Sequence, residues 1–73
     1  MNSGTYDRIR DRVREAREKH PGWRKTPLYA KAVAELEWNE YCHAVEWESR
    51  TRAEEEALDL CAVLIRFIEG DDR

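Results

Sequence analysis

No stretch of this 73-residue chain approaches the roughly 20 consecutive apolar residues of a membrane span. With only two prolines and three glycines, collagen-like and low-complexity classes are excluded as well. The two cysteines, Cys42 and Cys61, form no C-x-x-C pair, and they read as reduced residues in helical apolar patterns rather than as a disulfide framework. Serine-nucleophile, glycine-rich and P-loop motifs are missing too. His43 follows Cys42, but no other His or Cys stands nearby at ligand spacing, which argues against a transition-metal site. The opening Met1-Asn2-Ser3-Gly4 has neither the basic nor the apolar region of a signal peptide, so a cytoplasmic location is expected.

What the chain has in abundance is charge, at 40% of its residues and a net −3. The sign is unevenly spread. Before Thr26, eight Lys/Arg stand against four Asp/Glu; from Thr26 onward, five stand against twelve. The basic part (Arg8, Arg10, Arg12, Arg14, Arg17, Lys19, Arg24 and Lys25) fits a solvated helix face, a phosphate contact or a partner for the acidic part. Nucleic-acid binding is disfavoured, because the larger, acidic part repels a phosphate backbone.

The hydrophobic spacing predicts an all-α fold of three helices, over about residues 5–20, 27–49 and 52–69. Tyr6, Ile9, Val13 and Ala16 give the first a narrow apolar stripe, with Ser3 or Thr5 as N-cap and a stop at His20-Pro21-Gly22. A stripe this thin predicts packing on the edge of another element. Thr26-Pro27 opens the second helix, with Thr26 as N-cap and Pro27 where its missing N–H costs nothing. Thr51-Arg52-Ala53-Glu54 reads as a capping box opening the third. From Ala57 to Ile68 that helix is apolar nearly all round, interrupted by Asp59 and Arg66. Two partner helices can hardly cover it, so a second subunit is expected against it. Gly70 ends the helix, and Asp71-Asp72-Arg73 reads as a frayed tail.

The sharpest anomaly is acidic. Glu37 and Glu40 sit within or beside the apolar side of the second helix formed by Val33, Leu36, Tyr41, Ala44 and Val45, where unpaired carboxylates cost several kcal/mol. Glu56 and Asp59 repeat the three-residue spacing on the third. If the two helices form a long antiparallel hairpin, positions of equal sum face each other; 37 with 59 and 40 with 56 share the sum 96, as do 36 with 60 and 33 with 63. Four carboxylates then meet at one level and repel unless a cation neutralises them. A divalent oxygen-ligand site for Mg²⁺ or Mn²⁺ fits.

Glu-x-x-Glu, a spacer and Glu-x-x-Asp on two helices, with Glu55-Glu56-Ala57-Leu58-Asp59-Leu60 leading into an apolar run, resembles the MazG-like all-α nucleoside triphosphate pyrophosphohydrolases over about residues 26–69. The resemblance implies Mg²⁺ held by Glu37, Glu40, Glu56 and Asp59. It implies cleavage of a nucleoside triphosphate, NTP or dNTP, between the α and β phosphates to a monophosphate and pyrophosphate. It also implies a dimeric or higher-order helical bundle, and small members of this kind are often phage-encoded. Where the family often carries a further glutamate, this chain has Leu36, so a second metal would be held differently or not at all.

On this reading the general base falls to Glu40 or Glu56. Lys31, Arg52 and Arg66 are candidates for phosphate contact; Arg66 lies two turns beyond Asp59 on the same face, where it could equally pair with an acid. Trp23 is a candidate to stack on the base or to plug the open end of the core, and Trp38 to stack or to serve a core or dimer interface. The alternatives are a non-catalytic helical interaction protein, whose acids pair with the basic first helix, and a nucleotide-binding protein that has kept the fold without turnover.

Overall fold

The computed structural model describes residues 2–73, and among these it contains three helices and no strand: α1 (Ser3–Lys19), α2 (Pro27–Trp47) and α3 (Arg50–Ile68). Helix ends lie within two residues of the expected ones, but two caps differ. Asn2, not Ser3 or Thr5, caps α1, its side chain accepting from the Thr5 N–H at 2.8 Å. At α3 the cap is Ser49, whose hydroxyl accepts from the Arg52 N–H at 3.1 Å, so the Thr51 box is not used. Both sites offer several competent cap residues in a row, and the chain takes the earlier one, adding a residue or more to each helix. Thr26 caps α2 with Pro27 at the first helical position, as expected.

The central element is α3. Both α1 and α2 pack on it, and they do not touch each other. Between α1 and α2 a groove therefore lies open over α3. The buried apolar residues are mostly small: Ala30, Ala44, Ala53 and Ala62, with Val13 and Trp23 the larger members. Alanine contacts bring helix backbones close but bury little apolar area. Correspondingly, Leu36, Trp38, Val45, Trp47, Leu64, Phe67 and Ile68 remain substantially exposed on a single chain. Thus α3 is not covered on every side by its own two neighbours.

Besides the buried Val13, ion pairs tie α1 to α3 and to the tail that follows it. Arg8 pairs with Glu54 at 3.4 Å, Arg12 with Glu55 and Asp59, and Arg17 with Glu69 at 2.7 Å and Asp71 at 3.0 Å. Three of the eight basic residues before Thr26 thus pair with the acidic part, while Arg10 and Arg14 pair with Asp7 and Asp11 inside α1 itself.

The tail is not frayed. Gly70 adopts φ +87°, the left-handed conformation that glycine alone enters without strain. The Asp71 N–H donates to the Arg66 carbonyl at 2.9 Å and the Gly70 N–H to that of Phe67 at 3.1 Å, the paired bonds of a Schellman ending. That turn swings Asp71 back onto Arg66 and Arg17, and Asp72 is buried beside it in sequence.

Candidate functional site

Carboxylate oxygens of Glu37 on α2 and of Glu56 and Asp59 on α3 all lie within 4.8 Å of one another. Glu56 is buried, while Glu37 and Asp59 are half-buried. Glu40 is the exposed neighbour of the three, and its charge acts on both Glu37 and Glu56. Three of the four expected metal ligands therefore converge, with the fourth at the edge, facing a shallow opening shared with His43, Glu48 and Arg52.

The electrostatics show the tension. Burial, reinforced by Glu40, Asp59 and Glu56, pushes the Glu37 carboxyl up to about 7. Burial also raises Glu56, with Glu40 and Asp59 adding to the rise and Arg52 opposing it. One oxygen of each, Glu37 Oε2 and Glu56 Oε2, is buried with no hydrogen-bond partner. Two guanidiniums answer part of this charge. Arg52 donates to Glu56 Oε1 at 2.5 Å from one turn earlier on α3, and Arg12 reaches across from α1 to Asp59 Oδ1 at 2.5 Å. Orphaned hard oxygen atoms amid mutually repelling acids suit Mg²⁺ or Mn²⁺, which prefer oxygen ligands.

Beside the cluster the groove between α1 and α2 encloses about 660 Å³ and is lined by Arg12, Lys19, His20, Glu37, Arg52 and Asp59, among others. Its volume falls within the range of small-molecule sites, about 300–1,000 Å³.

Of the remaining expected contacts, Arg66 also lines this groove, whereas Lys31, Trp23 and Trp38 do not. Lys31 is exposed, pairs with Glu35 and lies outside this groove, against Ala34, Leu64 and Phe67. Arg66 is 3% exposed and spends its donors internally: Nε on Asp71 at 2.6 Å, Nη1 on the Ala16 carbonyl at 3.3 Å and Nη2 on the His20 carbonyl at 2.9 Å. It caps the C-terminus of α1, where orphan carbonyls and the helix dipole both favour a cation. Trp23 is buried under it, the Arg66 guanidinium carbon 4.6 Å from the ring centroid, with Tyr29 edge-on at 6.1 Å. Trp23 is thus covered and does not line the groove. Trp38 is half-exposed and tilted against Tyr41 at 5.5 Å. Arg12 was not singled out for the site by its sequence position; its only signal was membership of the basic first helix.

No family model, curated protein or solved structure matches the chain.

Glu37 gives the metal-free protein a pH signature. The folded chain keeps this proton up to about pH 7, whereas the unfolded chain releases it near 4.5. Between those values the folded state binds more protons, so stability falls as pH rises through the window. Because Glu37 is partly exposed, the full shift overstates the effect, and about 1–2 kcal/mol is expected. Glu54, Glu55 and Asp71 are held low by Arg50, Arg12 and Arg17 respectively, and their contributions are lost only at more acid pH. Urea unfolding in EDTA should therefore show higher stability at about pH 5 than at about pH 8, with the difference reduced in Glu37→Gln and the raised Glu56 accounting for what remains. Equal or greater wild-type stability at pH 8 refutes the assignment.

Proposed function

We propose that this protein is a Mg²⁺- or Mn²⁺-dependent nucleoside triphosphate pyrophosphohydrolase, acting on an NTP or dNTP. The observation that carries the reading is the convergence of Glu37, Glu56 and Asp59 from two helices, with buried carboxylate oxygens left unpartnered on two of them. Glu37, Glu56 and Asp59, with Glu40 at the rim, would hold the cation. When bound, it supplies positive charge that offsets the triphosphate and polarises the phosphoryl centre.

The chain's own groups do the rest. Arg12, Lys19 and Arg52 present cations along the groove to phosphate oxygens. Whichever of Glu40 and Glu56 does not ligate the cation would take the proton of the attacking water, and a raised proton affinity such as that of Glu56 favours that role. The working unit in this reading is an antiparallel α2–α3 hairpin assembled with a second copy, which would cover Leu64, Phe67 and Ile68 and supply the missing wall of the nucleotide site. Sedimentation equilibrium showing only monomer at high concentration would remove that part.

The deciding test is Mg²⁺-dependent pyrophosphate release across the common NTPs and dNTPs, with thermal unfolding of the same samples. Mg²⁺ at about 100 times its dissociation constant should stabilise the chain by about 2.7 kcal/mol. A second reading, a non-catalytic interaction protein, is favoured by one observation: the ion pairs from α1 already occupy Glu54, Glu55, Asp59, Glu69 and Asp71. Such a protein releases no pyrophosphate and is indifferent to Mg²⁺.

A further inference from the structure

Arg12 stands where a cation is wanted. Its Nη1 donates to Asp59 Oδ1 at 2.5 Å and to the Glu55 carbonyl at 3.0 Å, and its Nη2 pairs with the Glu55 carboxylate. The side chain is 20% exposed, and burial disfavours its charge, yet the two carboxylates more than compensate and hold it above the usual arginine range. Asp59 in turn belongs to the trio that includes Glu56, which is more than nine-tenths buried and has an unpartnered oxygen. Arg52, the other guanidinium at the cluster, is half-exposed and sits on α3 itself. Arg12 alone arrives from another helix.

Resting on the metal-site reading above, we infer that Arg12 is a resident counter-cation: it occupies Oδ1 of Asp59 in the metal-free protein, and a divalent ion displaces it on taking that oxygen. Arg12 already fills Oδ1 of Asp59, so an ion taking that oxygen meets both an occupied acceptor and a like charge at contact distance. On release Arg12 keeps Glu55 as a pivot and faces the groove that it already lines, where its planar fork suits the oxygens of a phosphate. Divalent-ion binding and the docking of α1 are thereby antagonistic, since the ion removes one of the ties from α1 to α3.

The test is titration of the metal-free protein with Mn²⁺ alone, by calorimetry, for wild type, Arg12→Met, Arg12→Lys and Arg8→Met. Arg12→Met should bind Mn²⁺ about tenfold more tightly, because a charge-assisted bond no longer has to be broken. Arg12→Lys, which retains the charge, and Arg8→Met, which loses a different α1–α3 pair, should stay near wild type. A merely structural arginine cannot yield this pattern, since its loss would loosen the site and weaken the ion. Hydrogen exchange on wild type gives a variant-free readout: Mn²⁺ should accelerate exchange of the amides of α1. Equal or weaker Mn²⁺ binding by a folded Arg12→Met, or no acceleration in α1 when Mn²⁺ binds, overturns the inference. Absence of Mn²⁺ binding in every protein overturns the metal site itself.

Discussion

Glu56→Gln is expected to lower Mg²⁺-dependent pyrophosphate release by about 10²–10⁴-fold while changing the stability of the metal-free protein by no more than about 1 kcal/mol. The two effects separate because Glu56 is costly where it stands. Its carboxyl is buried, one oxygen has no partner, and Glu40 and Asp59 press on its charge. Glutamine preserves shape and removes that charge. The only ion pair lost at close range is with Arg52, whose exposed side chain makes the pair worth little. Function would lose either a cation ligand or the proton acceptor. Unchanged turnover in a folded Glu56→Gln protein would place the chemistry elsewhere; loss of the fold would make Glu56 structural.

Arg66→Met is expected to cost about 3–5 kcal/mol, enough to leave much of the chain unfolded at physiological temperature. The guanidinium joins four parts of the molecule: the last turn of α1 through Ala16 and His20, the connection through Trp23, the body of α3, and the tail through Asp71. Methionine fills much of the space but leaves two carbonyls without this donor and Asp71 with Arg17 alone. Lysine should rescue poorly, because a single ammonium cannot bridge three separated acceptors while also lying over the Trp23 ring. Thermal unfolding followed by circular dichroism decides it, with a fall in midpoint of about 4–8 °C for each kcal/mol. A shift smaller than that of one kcal/mol would show that the clasp contributes little.

The contrast between Arg66 and Glu56 shows what the linear order could reveal. Helix positions were legible because Thr26-Pro27, Pro21-Gly22 and Gly70 punctuate the chain, and hydrophobic spacing fills the intervals. Three of the four acids were legible as a group because equal spacing on two helices leaves few ways to face them. Helical phase sets Arg66 two turns from Asp59 on the same face, but phase does not say what lies beyond the helix end. The left-handed Gly70 turns the tail back, and Asp71 takes the arginine. The same turn makes the apparent loose end of the chain one of its tied points. Arg12 was hidden for the opposite reason: among eight basic residues in the first part of the chain, only three-dimensional docking selects the one that meets Asp59.

The two outer helices are attached to α3 by different forces, and ionic strength should tell them apart. Exposed pairs such as Arg8–Glu54 and Arg17–Glu69 weaken as the Debye length contracts to about 3 Å at molar salt, whereas the alanine-rich contact of α2 is indifferent to it or strengthened. In brine α1 becomes the first unit to open, a local unfolding that spares the α2–α3 pair. The protein thus carries an arm pinned at its C-terminal end by the buried Arg66, while the surrounding electrolyte tunes the hold on the rest of it.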